Sequence, residues 1–156
     1  DRAALADCAR GFILRVAADD SWSDLFFRLL ADRIEPHLGF DRPTILCEYP
    51  ASEAALARRK RGDHRVAERF EMYVCGVELA NCFGELTDAD EQRARFVADM
   101  DEKQRIYGTR YPLDEAFLSA LALMPAASGA ALGFERLAML VTGATRIDQV
   151  LWTPVG

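Results

Sequence analysis

The fold is decided by residues 70–85, which read FEMYVCGVELANCFGE. The pattern predicts two antiparallel strands joined by a two-residue turn at Cys75-Gly76. Because side chains alternate along a strand, Glu71 and Tyr73 share one face, and the turn places Tyr73 opposite Glu78. Glu71 and Glu78 are therefore expected as diagonal neighbours on that face. The other face is the expected core face and collects the apolar side chains: Phe70, Met72, Val74, Val77 and Leu79.

Two neighbouring carboxylates on one sheet face repel each other, so a positive group is expected between them: a metal ion, an arginine or a cationic ligand. Asn81 and Glu85 are four residues apart and can share a face. Asn81 follows Glu78 by three residues, an odd number, so strict alternation would put these two side chains on opposite faces. One irregular residue, such as a bulge, would bring all four polar groups together. The alternative is an ordinary hairpin with a solvated acidic face, and the pattern leaves both open.

The length and composition are those of one soluble globular domain. The chain has 156 residues, of which 51% are hydrophobic and 28% are charged. The net charge of -6 argues against a large nucleic-acid surface. The basic run Arg58–Arg61 leaves local contact with phosphates open, beside the alternative of a solvated loop or helix end.

The sequence favours a cytoplasmic protein without a membrane span. No apolar run has the length that a bilayer requires. No signal peptide is expected, because the start is charged and lacks a cleavage pattern. The four cysteines form no Cys-x-x-Cys pair and are expected as reduced, small, buried apolar residues: Cys8, Cys47, Cys75 and Cys82.

Helix and strand signals surround the hairpin. Ser21, Asp88 and Asp114 are predicted as helix N-caps. Pro36 and Gly39 are predicted to close the helix that Ser21 begins. The other predicted elements are a helix over 3–18 without a cap, a strand over 43–49, a short helix over 52–57, a helix from 89 to about 104 and a strand over 147–153.

The segment from Ser128 to Gly143 is predicted to pass through glycines into an amphipathic helix that Gly143 ends. Arg136 lies in the first turn of that helix, where a positive charge opposes the helix dipole. Helix stability therefore does not explain this arginine. It fits an anionic ligand or a nearby carboxylate, with a surface salt bridge as the alternative.

Four motifs carry a family resemblance. FEMY at 70–73, ELAN at 78–81, ELTD at 85–88 and GFERL at 133–137 resemble the second half of a class II lysyl-tRNA synthetase catalytic domain. Residues 43–54 and 63–69 resemble its short paralogues, the elongation factor P–lysine ligases. The resemblance covers most of the chain from about Asp20. It implies an α+β fold, an antiparallel sheet flanked by helices, with ATP and the amino acid bound on the sheet.

The resemblance also implies roles for individual residues in binding ATP. Glu71 and Glu78 resemble the carboxylates that hold Mg²⁺ on the ATP phosphates, and magnesium favours such oxygen ligands. Arg136 resembles the arginine that grips the γ-phosphate. The implied chemistry is adenylate formation, in which the amino-acid carboxylate attacks the α-phosphorus of ATP and pyrophosphate leaves.

Three further positions resemble the amino-acid site of the family. Asn81 resembles the residue near the substrate carboxylate, and Glu85 resembles the acid that pairs with the side-chain ammonium of lysine. Ala131 stands where lysyl-tRNA synthetases usually have Gly and where the ligases, which prefer β-lysine, have Ala. Ala131 therefore favours the ligases.

The chain departs from the family in three respects. Cys82 stands where the family has Gly, which implies strain or a different geometry at this position. Glu135 replaces the usual Asp before the arginine. Motifs 1 and 2 of the family are absent, so residues 1–156 are expected as a single domain that is the C-terminal part of a longer catalytic domain, or a truncated relative. Because motif 1 builds the family's dimer, the oligomeric state stays open, with a homodimer as one alternative.

These observations predict ATP-dependent activation of lysine or β-lysine for transfer to elongation factor P, as part of a longer catalytic domain. The isolated chain is expected to be weakly active or inactive. One alternative is a truncated, non-catalytic binding or regulatory module. Another is a fragment of a true lysyl-tRNA synthetase, with tRNA as the acceptor.

Overall fold

A computed structural model describes residues 1–12 and 14–153 of the chain. Its helices are α1 (Arg2–Gly11), α2 (Trp22–Leu29), α3 (Ala89–Tyr107), α4 (Glu115–Leu121) and α5 (Phe134–Thr142). Its strands are β1 (Thr44–Cys47), β2 (Arg59–Lys60), β3 (Asp63–Ala67), β4 (Arg69–Val74), β5 (Val77–Gly84) and β6 (Ser128–Leu132). Short π- or 3₁₀-helical turns occupy Leu30–Ile34, Glu35–His37, Ala51–Glu53 and Ile147–Gln149. Within the described ranges, no helix combines the length and the apolar character of a membrane-spanning segment.

Four strands form a sheet in the order β1-β4-β5-β6, and β2 and β3 form a separate antiparallel pair. β5 and β6 are antiparallel, with Ala80 paired with Leu132 at one end and Gly84 with Ser128 at the other. Helices combined with antiparallel strands make an α+β fold. The predicted fold class is therefore confirmed.

The turn between β4 and β5 has the backbone that its sequence predicts. Cys75 and Gly76 have φ values of 52° and 76°, and a type I′ turn needs positive φ at both central residues. The turn is also held from outside: Cys75 N–H donates to Gly39 O at 2.6 Å, and Gly76 N–H donates to Leu38 O at 3.1 Å. Gly39 has φ 78°, and a Cβ there would lie 2.7 Å from the carbonyl carbon of Tyr73. Glycine is therefore required at position 39.

The faces of this hairpin are buried differently from the prediction. Glu71 and Tyr73, expected on a polar face, are 6% and 2% exposed, whereas Phe70, expected in the core, is 38% exposed. Leu79 is buried as predicted, but the next buried residue of β5 is Cys82, an odd step away. The burial of β5 therefore breaks strict alternation. Glu71 tolerates burial because its carboxylate accepts hydrogen bonds from Tyr49, Arg69 and Asn81.

The chain divides into two compact units, the first comprising Asp1–Thr44, Met72–Leu79 and Gly133–Gly156. Its buried core forms between α1 and α2 and consists of Ala6, Ala9, Leu25 and Leu29. Ser21 caps α2 as predicted: its hydroxyl accepts from Asp24 N–H at 3.1 Å, and Asp24 Oδ2 accepts from Ser21 N–H at 2.7 Å. This reciprocal capping box satisfies two backbone donors that would otherwise lack partners.

Asp20 holds the segment before α2 in place. Arg28 donates to both of its carboxylate oxygens, at 2.6 and 3.1 Å, and Ala17 N–H donates to Oδ2 at 2.7 Å. These hydrogen bonds, from Arg28 first and then from Ala17, lower the pKa of Asp20 to about 2.

The second unit comprises Ile45–Glu71 and Ala80–Leu132. Its buried cluster consists of Ala54, Ala57 and Ala67, with Phe83 packed against it. Side chains of α3 attach that helix to the same segment. Arg95 Nη1 donates to the carbonyls of Ala54 and Ala57 at 2.6 and 2.9 Å, and the amide of Gln92 donates to Ala55 O at 3.0 Å. Hydrogen bonds to backbone thus help to hold the highly charged helix, and Phe96 of α3 also contacts Phe117 of α4, with ring centroids 5.9 Å apart.

Several predicted helix boundaries are corrected. α1 ends at Gly11, and Asp1 caps it by accepting from Ala3 N–H at 2.9 Å, so the predictions of an uncapped helix and of one reaching residue 18 are both wrong. Glycine is a poor helix former, which favours that end. Ile13 lies outside the described residues. The caps at Asp88 and Asp114 are confirmed.

Three other predicted segments also differ from the structure. The strand predicted over 43–49 spans only Thr44–Cys47, because Glu48 adopts φ 61°, which strand geometry excludes. The helix predicted over 52–57 is a single 3₁₀ turn, Ala51–Glu53. The strand predicted over 147–153 is wrong, since a 3₁₀ turn occupies Ile147–Gln149.

The basic run forms one side of the β2–β3 hairpin. Arg58 pairs with Glu68 at 2.6 Å, Arg59 pairs with Glu91 at 3.1 Å, and Lys60 pairs with Glu48. Three of the four cations are thus neutralised by carboxylates, which favours a solvated surface over a phosphate-binding one.

The cysteines are free thiols, but only one is buried. Cys82 is buried, whereas Cys8, Cys47 and Cys75 are exposed. The prediction of buried cysteines is therefore wrong for three of the four. Their exposure follows from position: Cys75, for example, occupies a turn rather than the interior of a strand.

We expect Cys75→Asn to stabilise the protein by roughly 1 kcal/mol, because asparagine tolerates the left-handed backbone that costs other residues about 1–2 kcal/mol. Cys75→Val should destabilise it, since a β-branched side chain is more strained at positive φ. Urea unfolding of the three proteins measures both effects. A valine variant as stable as wild type would contradict the account of the turn.

We also expect Asp20→Asn to reduce stability at neutral pH and to matter less in acid. The pKa of Asp20 is about 2 in the folded state, against about 3.9 in an unfolded chain. Its ionised form therefore stabilises the fold above pH 4, and this contribution is lost as the pH falls towards 2. Denaturant unfolding from pH 2 to 6 measures the difference from wild type. Asp19→Asn, at an exposed neighbour, is the matched control and should show no such trend.

Candidate functional site

The predicted site residues are divided between the two units. Glu78 and Arg136 belong to the first unit, whereas the second unit contains Glu71, Asn81, Glu85 and Ala131.

Arg136 and Glu78 contact each other directly. Gly133 N–H donates to Leu79 O at 2.9 Å, which places the start of α5 beside β5. From the first turn of α5, Arg136 Nη1 donates to the backbone carbonyl of Glu78 at 2.7 Å and to its carboxylate at 3.1 Å. The arginine therefore has the nearby carboxylate that its position predicts, in an ion pair that is partly open to solvent.

This ion pair lines a cavity of about 450 Å³ within the first unit. The other lining residues are Ala31, Glu35, Pro36, Tyr73, Gly76 and Val77. The cavity thus combines one cation with two carboxylates and a phenol. A guanidinium at its wall suits an anionic group such as a phosphate, which a planar fork of N–H donors binds well.

Glu71 is the buried carboxylate of the second unit. Its Oε1 accepts from Arg69 Nη2 at 2.6 Å and from Asn81 Nδ2 at 3.3 Å, and its Oε2 accepts from the hydroxyl of Tyr49. These donors compensate for the loss of water around a charge. They also fix where the carboxylate lies.

Arg69 links the members of this group. Its Nε donates to Asn81 Oδ1 at 3.4 Å, and its Nη1 donates to the backbone carbonyl of Glu53 at 2.5 Å. Its guanidinium carbon lies 4.2 Å from the ring centre of Tyr49 and 5.8 Å from that of Phe83. Cation–π contact of this kind holds the guanidinium plane in place.

The pairing of β5 with β6 brings the predicted amino-acid residues onto one face. Asn81 pairs with Ala131, and Phe83 pairs with Gly129, and directly paired residues in an antiparallel sheet share a face. A Cβ built on Gly129 would collide with Glu85 Oε1. The Glu85 carboxylate therefore occupies the space that glycine leaves on the face that carries Asn81 and Ala131.

Three contributors to this group were missed from the sequence: Arg69, Tyr49 and Gly129. Period-two alternation was the available signal for Arg69, because it precedes Glu71 by two residues on one strand. A glycine inside a strand often marks a close approach, which was the signal for Gly129. For Tyr49 there was no local signal, since its contact with Glu71 spans 22 residues.

Cys82 is accommodated without left-handed backbone. Its Cα pairs with Ala130 in the β5–β6 ladder, and it is not among the residues with positive φ. The backbone strain that we predict for a cysteine in place of glycine, from positive φ, is therefore absent at Cys82.

The two predicted magnesium ligands differ in how well they fit a metal. Among the described residues, no group of three or more His, Cys, Asp or Glu side chains is arranged to hold a metal ion. Glu71 already accepts at least three hydrogen bonds, whereas the Glu78 carboxylate accepts from Arg136 beside a cavity. Glu78 is thus the better candidate for a hard cation that selects oxygen ligands.

Comparisons with known proteins give the family. Residues 31–155 match the family model of class II tRNA synthetases (D, K and N). The chain is 51% identical to the elongation factor P--(R)-beta-lysine ligase of Proteus mirabilis over 128 residues, or 81% of this chain and 39% of that protein. It is 46% identical to the ligase of the same name from Sodalis glossinidius over 154 residues, or 97% of this chain and 47% of that protein. It is 42% identical to the ligase of the same name from Yersinia enterocolitica over 159 residues, or 100% of this chain and 49% of that protein.

The chain therefore spans less than half the length of these curated relatives. The match to the family model nevertheless extends over most of its residues. The resemblance found in the hairpin and in the GFERL motif is thus confirmed along the chain, which belongs to the family of class II tRNA synthetases (D, K and N).

Proposed function

We propose that this chain is part of an ATP-dependent ligase that activates lysine or (R)-β-lysine for transfer to elongation factor P. The observation that carries the proposal is the shared face of β5 and β6, on which Asn81, Glu85 and Ala131 come together. The names of the relatives, elongation factor P--(R)-beta-lysine ligases, support the same substrates.

The shared face suits an amino acid that is charged at both ends. In this assignment Glu85 pairs with the side-chain ammonium, and Asn81 donates to the carboxylate. Gly129 leaves the space that the Glu85 carboxylate needs. Ala131 lies directly across from Asn81. Its alanine is the residue that the ligases have where lysyl-tRNA synthetases usually have glycine, which favours the ligase.

ATP is the co-substrate in this proposal, and Arg136 binds its γ-phosphate from the cavity wall of the first unit. Glu78 would hold Mg²⁺, which supplies positive charge against the phosphates when bound. Glu71 as a second magnesium ligand stays a prediction. The amino-acid carboxylate attacks the α-phosphorus of ATP and pyrophosphate leaves, so catalysis is chiefly positioning and charge neutralisation.

The remaining parts of the assignment are the acceptor, the location and the assembly. Elongation factor P is the proposed acceptor, with tRNA as the alternative that a synthetase would use. The cytoplasm is the proposed location, consistent with the four free thiols. A homodimer stays a prediction.

We expect any longer natural form of this protein to catalyse ATP–pyrophosphate exchange with lysine or (R)-β-lysine, and the 156-residue chain to exchange weakly or not at all. Phenylalanine is the control amino acid and should give no exchange. Strong exchange by the 156-residue chain would contradict the need for further residues. A longer form that binds these amino acids without exchange would support the non-catalytic binding module instead.

We expect Glu85→Gln to weaken lysine binding by on the order of 10- to 100-fold, because it removes one side of a charge-assisted hydrogen bond worth about 1.5–3 kcal/mol. ATP affinity should stay within about twofold, since Glu85 has no role in binding ATP. Calorimetric titration with each ligand makes the comparison. Glu48→Gln, which removes an exposed carboxylate of the same unit, is the matched control. Equal losses for both ligands would rule out the role assigned to Glu85.

A further inference from the structure

We propose that Arg69 is a positioning residue for the amino-acid carboxylate and that it acts through Asn81. This inference rests on the proposed function, because it takes Asn81 as the residue that meets the substrate carboxylate. Among the described residues, the Arg69 guanidinium contacts Asn81, Glu71, Glu53 and two aromatic rings.

The chemistry of its neighbours gives the Asn81 carboxamide one orientation. Arginine has donors and no acceptor, so the Asn81 atom that meets Arg69 Nε must be the oxygen. An ionised carboxylate has acceptors and no donor, so the atom that meets Glu71 Oε1 must be the nitrogen. Arg69 and Glu71 therefore exclude the flipped carboxamide.

This orientation decides what Asn81 offers to a ligand. The carboxamide nitrogen carries two hydrogens, and the bond to Glu71 uses one of them. The second N–H is a donor on the face that Asn81 shares with Ala131. A carboxylate on that face would meet this donor, whereas a flipped carboxamide would present an oxygen and repel it.

Arg69 is suited to this task by its own rigidity. Its side chain is only 15% exposed, and it makes hydrogen bonds from Nε, Nη1 and Nη2 to three different groups. The ring of Tyr49 covers its guanidinium at 4.2 Å. A lysine side chain at position 69 would keep the positive charge beside Glu71. It would lose the planar guanidinium, which contacts Glu71 and Asn81 at the same time.

The test is a comparison of two ligands in the longest natural form of the protein and in its Arg69→Lys variant. Lysine has the carboxylate, and 1,5-diaminopentane keeps the distal ammonium without it. We expect Arg69→Lys to weaken lysine binding about tenfold or more, and to leave diamine binding within about twofold. Arg58→Lys, at another ion-paired arginine of the same unit, is the matched control and should change neither.

A double-mutant cycle then separates positioning from general support of the fold. If Arg69 acts through Asn81, Arg69→Lys should cost little further lysine affinity in an Asn81→Ala background. Equal losses for lysine and the diamine, or full additivity with Asn81→Ala, would overturn the inference. If the longest natural form of the protein binds neither ligand as wild type, the proposed function itself is overturned before any variant is made.

Tyr49→Phe keeps the inference testable if Arg69→Lys fails to fold, which circular dichroism would reveal. This change removes only the hydroxyl that donates to Glu71 Oε2. It should loosen the Glu71–Arg69–Asn81 group and weaken lysine binding by a smaller factor, again without affecting the diamine. Lysine affinity unchanged in Tyr49→Phe would count against the inference.

Discussion

The second unit depends on the need to satisfy one buried carboxylate. A charged group that loses water and keeps no partner costs about 3–5 kcal/mol, which is a large part of the stability of a small protein. Glu71 avoids that cost through Tyr49, Arg69 and Asn81, each of which comes from a different part of the chain. The same hydrogen bonds connect the loop before β2 with the strands β4 and β5.

That requirement also shapes the face that we assign to the amino acid. Asn81 is one of the donors to Glu71, so its carboxamide is oriented before any ligand arrives. Glu85, by contrast, keeps its carboxylate in the space left by Gly129. Hydrogen bonds thus orient Asn81, whereas the absence of a Cβ at Gly129 leaves room for the Glu85 carboxylate. Such preorganisation reduces the free energy spent on ordering side chains when a ligand binds.

In the first unit the corresponding constraint is the position of Arg136. At the start of α5 its charge opposes the helix dipole, and the carboxylate and carbonyl of Glu78 compensate for this. The ion pair is partly exposed and contributes little to stability. The ion pair keeps a guanidinium at the wall of a cavity, where we propose that it binds a phosphate.

The sequence alone determined the turn at Cys75-Gly76, the caps at Ser21, Asp88 and Asp114, and the family, because these depend on neighbours within a few residues or on motifs in order. Which face of the hairpin is buried was decided only by the tertiary structure. Alternation along a strand separates two faces but does not say which one other segments cover. Tyr49 and Arg69 cover the face of Glu71, and no pattern within residues 70–85 contains that information.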